Sequence, residues 1–233
     1  MPPQDLVRLT RRRVGARPSL SLCEAPSGPP ALPLGRAHEL CGPARLTLAA
    51  MIAGRAEAAG GGGPVLWIRP AHAEGRLNPD GLAAFFDPGR LVLARPQREA
   101  DVLWLAEEAL RSGAAPVVIA ELGAPPGLTP VRRLHLAAEA GQAAARGAAP
   151  LALLLCAGTG GAQGVETRWA LTPAPGGGAW LRPRWRLELL RARLAPPRSW
   201  RVRWRGQALA EEEAGQAPAA APAARRAARP ALP

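Results

Sequence analysis

From residue 31 to residue 156, short apolar runs alternate with longer amphipathic ones. Val65–Ile68, Leu91–Ala94, Val117–Ala120 and Leu151–Cys156 are apolar throughout, and Ala37–Cys41 is a further short strand ended by Gly42-Pro43. Between them lie stretches of helical period. Arg45–Ala59 places Leu46, Ala49, Ala50 and Ala53 on one face before the glycine run Gly60–Gly63. Arg98–Ser112 places Val102, Leu105, Ala106, Ala109 and Leu110 together, with Gly113 as its stop. Thr129-Pro130 predicts an N-cap followed by proline at the first helical position, opening a helix to about Arg146. Apolar strands separated by helices predict a mainly parallel sheet covered on both faces.

The pattern then changes. Thr167–Thr172, Trp185–Arg193 and Trp200–Arg205 have no helices between them, and their connections contain Gly176-Gly177-Gly178 and Pro196-Pro197. They predict antiparallel strands that extend the sheet. In the last of them, period-two alternation sends Trp200, Val202 and Trp204 to one face and Arg201, Arg203 and Arg205 to the other. The tryptophans read as core rather than as base-stacking platforms.

Outside this region the chain is poor in core material. Residues 1–30 mix Arg, Pro, Ser and Gly and read as a flexible basic arm, with a short helix near Leu6–Arg13; residues 207–233 read as a flexible Ala/Pro/Arg-rich tail. Residues 31–206 form the folded domain.

Composition adds a sharper constraint. The chain has 30 basic residues, all of them arginine, and a net charge of +12. Residues 157–210 hold ten arginines against two acids, whereas residues 31–156 hold twelve against eleven. The late strands therefore carry most of the excess. Arg182, Arg184, Arg186, Arg191, Arg193, Arg201, Arg203 and Arg205 are candidate contacts to nucleic acid or to an acidic protein; a solvated arginine face written by coding bias is the plainer alternative.

Other chemistries find little support. Cys23, Cys41 and Cys156 are widely spaced and form no zinc or disulfide pattern. His38, His72 and His135 have no paired nucleophile in sequence. No apolar run reaches membrane length, and none follows Arg11-Arg12-Arg13 as an export signal requires. A cytoplasmic protein is expected.

Gly42-Pro43 between a strand and a helix has the setting of a phosphate-binding loop, which needs glycine N–H donors, a lysine and a Ser/Thr for magnesium. The helix instead begins at once, with Ala44-Arg45-Leu46-Thr47, and no lysine exists to fill the role. Gly42, Pro43, Arg45 and Thr47, with Glu121 ending a later strand, make up a degenerate nucleotide site.

Specific residues carry a resemblance. Leu32-Pro33-Leu34-Gly35-Arg36, the acid Glu39 within a strand, and Gly42-Pro43 are similar to the first strand of the RecA-like core, in the form found in the ImuA family, the RecA/SulA-related accessory proteins of bacterial mutagenesis cassettes. Ile68–Ala73, Leu110-Arg111-Ser112-Gly113-Ala114, and Leu187–Arg193 followed by Trp200-Arg201-Val202 fit later parts of that pattern, so the resemblance spans about residues 31–206. It implies a RecA-like sheet, with Ala71 where a RecA-type general-base glutamate would stand and Glu121 at the magnesium acid. With the loop, the lysine and that glutamate missing, no catalysis and no cofactor are expected. The implied role is in SOS-induced translesion synthesis, by contact with an ImuB-like inactive Y-family polymerase relative, an error-prone replicative-type polymerase and RecA. Direct DNA binding by the arginine face and SulA-like inhibition of cell division are the alternatives.

Overall fold

A computed structural model describes residues 18–24, 30–60, 62–144, 149–174 and 183–212. The strands are β1 (Ser19–Ser21), β2 (Cys23–Glu24), β3 (Ala31–Pro33), β4 (Ala37–Cys41), β5 (Val65–Ile68), β6 (Leu91–Ala94), β7 (Val117–Glu121), β8 (Leu151–Leu155), β9 (Thr167–Pro173), β10 (Arg184–Ala192), β11 (Arg198–Arg205) and β12 (Ala208–Glu211). The helices are α1 (Arg45–Ala58), α2 (Pro79–Ala83), α3 (Glu99–Ser112) and α4 (Leu128–Ala144), with a 3-10 turn at Pro88–Arg90.

A ten-stranded sheet runs in the order β2-β12-β11-β10-β9-β4-β8-β7-β5-β6, and β1 and β3 form a separate two-stranded ribbon. β9-β4-β8-β7-β5-β6 are parallel, while β10, β11 and β12 follow as an antiparallel meander from β9. The expected α/β class, with a mainly parallel sheet extended by antiparallel strands, is the one observed.

Strand periodicity separates two cores. Leu151, Leu153 and Leu155 of β8 pack with Trp67, Ile119 and the α1 residues Leu48, Met51 and Ile52. Ala152 and Leu154 face the other way, with Val118 and Ala120, against Val102 and Leu110 of α3 and Val131 and Leu134 of α4. The α1-side core continues across the meander through Trp169, Leu171, Trp185, Leu187, Trp200 and Val202. The α3/α4-side core does not continue: it contains no residue of β9–β12.

Three expectations need correction. The arm does not end at residue 30. Leu20, Leu22 and Cys23 are buried in the α1-side core, and β2 pairs in parallel with β12. The tail does not start at residue 207, because Ala208–Glu211 pairs with β11 and buries Leu209. In both places a few apolar side chains find a core built by distant residues, a tertiary effect that local composition conceals. Thr129 is not an N-cap: α4 starts one residue earlier, and Pro130 falls within the first turn, where a helical N–H has no intrahelical acceptor anyway. Residues 1–17, 25–29, 61, 145–148, 175–182 and 213–233 lie outside the described residues, so the Leu6–Arg13 helix, the end of α4 at Arg146 and the Gly176–Gly178 turn do too.

A buried polar chain ties β3, β4 and β9 together. Trp169 Nε1 donates to Thr167 Oγ1 at 2.6 Å, and the hydroxyl lies 2.6 Å from His38 Nδ1. His38 Nε2 lies 2.9 Å from the Pro33 carbonyl and must therefore carry the proton, which leaves Nδ1 to accept from Thr167. Burial above all pushes the His38 pKa down to about 3, so the imidazole is neutral.

Candidate functional site

Two places gather the residues singled out in the sequence. The first is the turn between β4 and α1. Gly42 has φ +80°, in the left-handed region, and its N–H donates to the Gly158 carbonyl at 2.9 Å. Pro43 has no N–H. The Ala44 N–H donates to the Leu171 carbonyl of β9 at 3.1 Å. Three successive backbone positions where a phosphate cradle needs free donors thus offer none. A Cβ at Gly42 would stand 3.0 Å from the Leu171 carbonyl oxygen, so the turn is also tightly packed. Arg45 and Thr47 are half-buried in the first turn of α1, which has no side-chain cap.

Glu121 ends β7, two strands from β4. Its Oε1 accepts from the Trp67 indole at 2.8 Å, and its Oε2 lies 3.6 Å from Arg69 Nε. The buried Arg69 also donates to the Glu74 carbonyl. The carboxylate is engaged by an indole and a guanidinium from β5 and its following loop. Ala71 has no carboxylate to offer, and His72 lies 3.7 Å from Glu99 at the surface. Among the described residues no group of three or more His, Cys, Asp or Glu has the arrangement of a metal site.

The sequence pattern marked Glu39 as an acid in a strand but gave it no task. Fully buried, it accepts from the N–H groups of Gly161 at 2.7 Å and Ala162 at 3.0 Å and forms an ion pair with Arg168 of β9. Its carboxylate fastens the loop after β8 over the end of β4. Gly160, at φ +72°, passes so close that a Cβ would lie 2.6 Å from Glu39 Oε1. An acid flanked by Leu40 and His38 in a wholly buried strand was the signal; only the fold shows which loop it holds.

The second place is the face of β9–β12 on the α3/α4 side. Arg184 stands opposite Arg203, and Arg186 opposite Arg201, on the antiparallel β10–β11 pair. Arg191 pairs with Arg168 across β9 after a bulge, and Arg205 lies beyond Arg203 on β11. Trp185, Trp200 and Val202 point to the opposite face and are buried, as the alternation predicts. Trp204, half-buried, packs edge-on against Phe85 at 5.5 Å. Acids on the arginine face are few: Glu188 lies 3.2 Å from Arg186, and Glu212 lies 3.2 Å from Arg184 and 3.9 Å from Arg203. Arg193 sits past the end of β10, beside Glu166. Arg182 lies outside the described residues.

Fold and site together define an α/β protein with a large mixed, mostly parallel sheet, in which the turn ahead of the first long helix is sealed by the protein's own carbonyls. No family model matches the chain. Protein ImuA of two Caulobacter vibrioides strains, NA1000 / CB15N and ATCC 19089 / CIP 103742 / CB 15, is 33% identical over 174 residues, covering 67% of this chain and 64% of the relative. The chain belongs to the ImuA family. It spans just under two thirds of the length of those curated relatives. Among solved structures, SulA from Pseudomonas aeruginosa is 26% identical, with a TM-score of 0.41, covering 52% of this chain and 96% of that one. No helix among the described residues is long and apolar enough to cross a membrane.

Proposed function

We propose that this chain is a non-catalytic accessory protein of damage-induced mutagenesis, built on a RecA-like core whose nucleotide site has been lost. The observation that carries the non-catalytic reading is the sealed turn: Gly42 and Ala44 spend their N–H groups on Gly158 and Leu171, and Pro43 has none to spend. The absence of lysine supports it, as does the engagement of Glu121 by Trp67 and Arg69. Hydrolysis needs a phosphate cradle, a charge-neutralising lysine or metal, and an oriented water. The residues at these positions supply none of the three.

Family membership supports the biological setting, and the partners it suggests are an ImuB-like inactive Y-family polymerase relative, an error-prone replicative-type polymerase and RecA. In this reading the sheet acts as a rigid platform, and surface contacts do the work. The test is association of the purified chain with the polymerase-like partner, combined with deletion of its gene. Loss of damage-induced mutation on deletion and a stable complex are expected; neither appearing would refute the role.

A further inference from the structure

Among the described residues, one side of the meander is left uncovered. α3 and α4 cover β4, β5, β7 and β8, and the apolar cluster they build includes no residue of β9–β12. A bare sheet face normally carries mixed polar residues, yet here arginines stand opposite arginines: Arg184 against Arg203 and Arg186 against Arg201. Like charges directly opposite on neighbouring strands destabilise the pair. The fold tolerates that cost, and an anion laid across the strands would remove it.

Glu212 shows how such an anion fits. Its carboxylate sits between Arg184 and Arg203, at 3.2 and 3.9 Å. Arg191, Arg201 and Arg205 meet no acidic group among the described residues. Among the described residues the face carries no aromatic side chain, since Trp169, Trp185 and Trp200 are all buried on the other side. Stacking on unpaired bases is thereby ruled out as the mode of recognition, and guanidinium–phosphate contact remains.

We propose that the open face of β9–β12 binds the sugar–phosphate backbone of duplex DNA without reading its sequence, through Arg184, Arg186, Arg191, Arg201, Arg203 and Arg205, and that Glu212 competes for Arg184 and Arg203 from within the chain. Residues alternate along a strand with a same-face repeat of about 6.7 Å, so β10 and β11 present two parallel rows of guanidinium groups. Arginine suits this task because its fork engages two phosphate oxygens at once. The proposal rests on the accessory role above only for its biological setting; the binding itself does not depend on it.

Fluorescence anisotropy of the full chain with a short labelled duplex of mixed sequence, over a salt series, tests this. Saturable binding is expected, with log K falling against log salt at a slope of roughly −4.5, as for about five phosphates neutralised. Arg186→Gln and Arg201→Gln should each weaken binding several-fold and reduce the slope by about one. Both variants should melt at or above the parent temperature, which separates lost contacts from lost fold. Glu212→Gln should tighten binding several-fold. The proposal is overturned by no binding at low salt, by slopes that the arginine variants leave unchanged, or by preference for a single strand of equal length. Tighter binding of a polyglutamate peptide than of the duplex would also overturn it and assign the face to an acidic protein. Failure here leaves the polymerase-partner assay untouched, and failure of that assay leaves this titration standing.

Discussion

Glu39 and Arg168 stand directly opposite each other on the parallel strands β4 and β9 and form an ion pair, in which Glu39 is wholly buried. Removing Arg168 leaves the buried Glu39 charge with only the Gly161 and Ala162 N–H groups to hold it, and breaking a buried pair in this way costs about 3–5 kcal/mol. Arg168→Ala should therefore lower the unfolding free energy by that amount, measured by urea unfolding. The double variant Glu39→Leu/Arg168→Leu should be much less damaging than the two single costs added together. Additive losses would show that the two side chains are not coupled, and would refute the ion pair's role.

His38 makes stability pH-dependent in a defined direction. Its folded pKa, down to about 3, lies below the value of about 6.5 for an unfolded imidazole. A lowered folded pKa gives stability that is fully present above pH 6.5 and lost as pH falls towards 3. The slope from this residue approaches about 1.4 kcal/mol per pH unit. Burial lowers the pKa of His135 too, so its contribution has the same sign. Unfolding free energies measured between pH 7 and pH 4 should fall, and His38→Gln should flatten the fall by about one proton.

The sealed turn predicts indifference to nucleotide. A ligand at a hundred times its Kd adds about 2.7 kcal/mol to stability. Millimolar ATP with magnesium is expected to leave the Tm unchanged in a thermal melt. A shift of several degrees would show a phosphate site somewhere on the protein.

The two faces of β11 should respond differently to truncation. Trp200 is buried, with its ring 5.9 Å from that of Trp169, and Trp200→Ala should cost about 3–5 kcal/mol. Trp204 is half-buried, held by Phe85 and by its indole donating to the Ala84 carbonyl at 3.0 Å. Trp204→Ala should cost distinctly less, as chemical denaturation of both variants would measure.

All three cysteines are buried and outside any disulfide. Burial pushes the Cys41 thiol up to about 11, and the Cys156 thiol is raised as well. Because the thiolate is the reactive form, native protein should react with a thiol reagent such as DTNB far more slowly than unfolded protein. Fast labelling of the native state would show that the sheet opens readily around β4 and β8.

The parallel half of the sheet was legible in the sequence, since Val65–Ile68, Val117–Ala120 and Leu151–Cys156 leave no polar side chain to place. The tryptophan–arginine alternation of β11 was legible for the opposite reason, since each face has one chemical character. Ser19–Glu24 and Ala208–Glu211 were not: Ser19-Leu20-Ser21-Leu22 does alternate, but over four residues, and Ala208–Glu211 has a single large apolar side chain, too little to mark a strand. Their pairing partners lie at the other end of the chain. The candidate nucleotide site could be judged incomplete from the missing lysine. That its remaining donors are taken by Gly158 and Leu171 depends on β9 lying beside β4, which spacing along the chain does not encode.

The pairing of β2 with β12 sets an order of events. Cys23 and Leu209 meet only once nearly all of the described chain exists, so this edge closes a long loop, at a correspondingly high entropic cost. The same seam is then the first that trimming either end would unpick: a cut that removes Leu209 frees β2, and a cut that removes Cys23 bares the outer edge of β12.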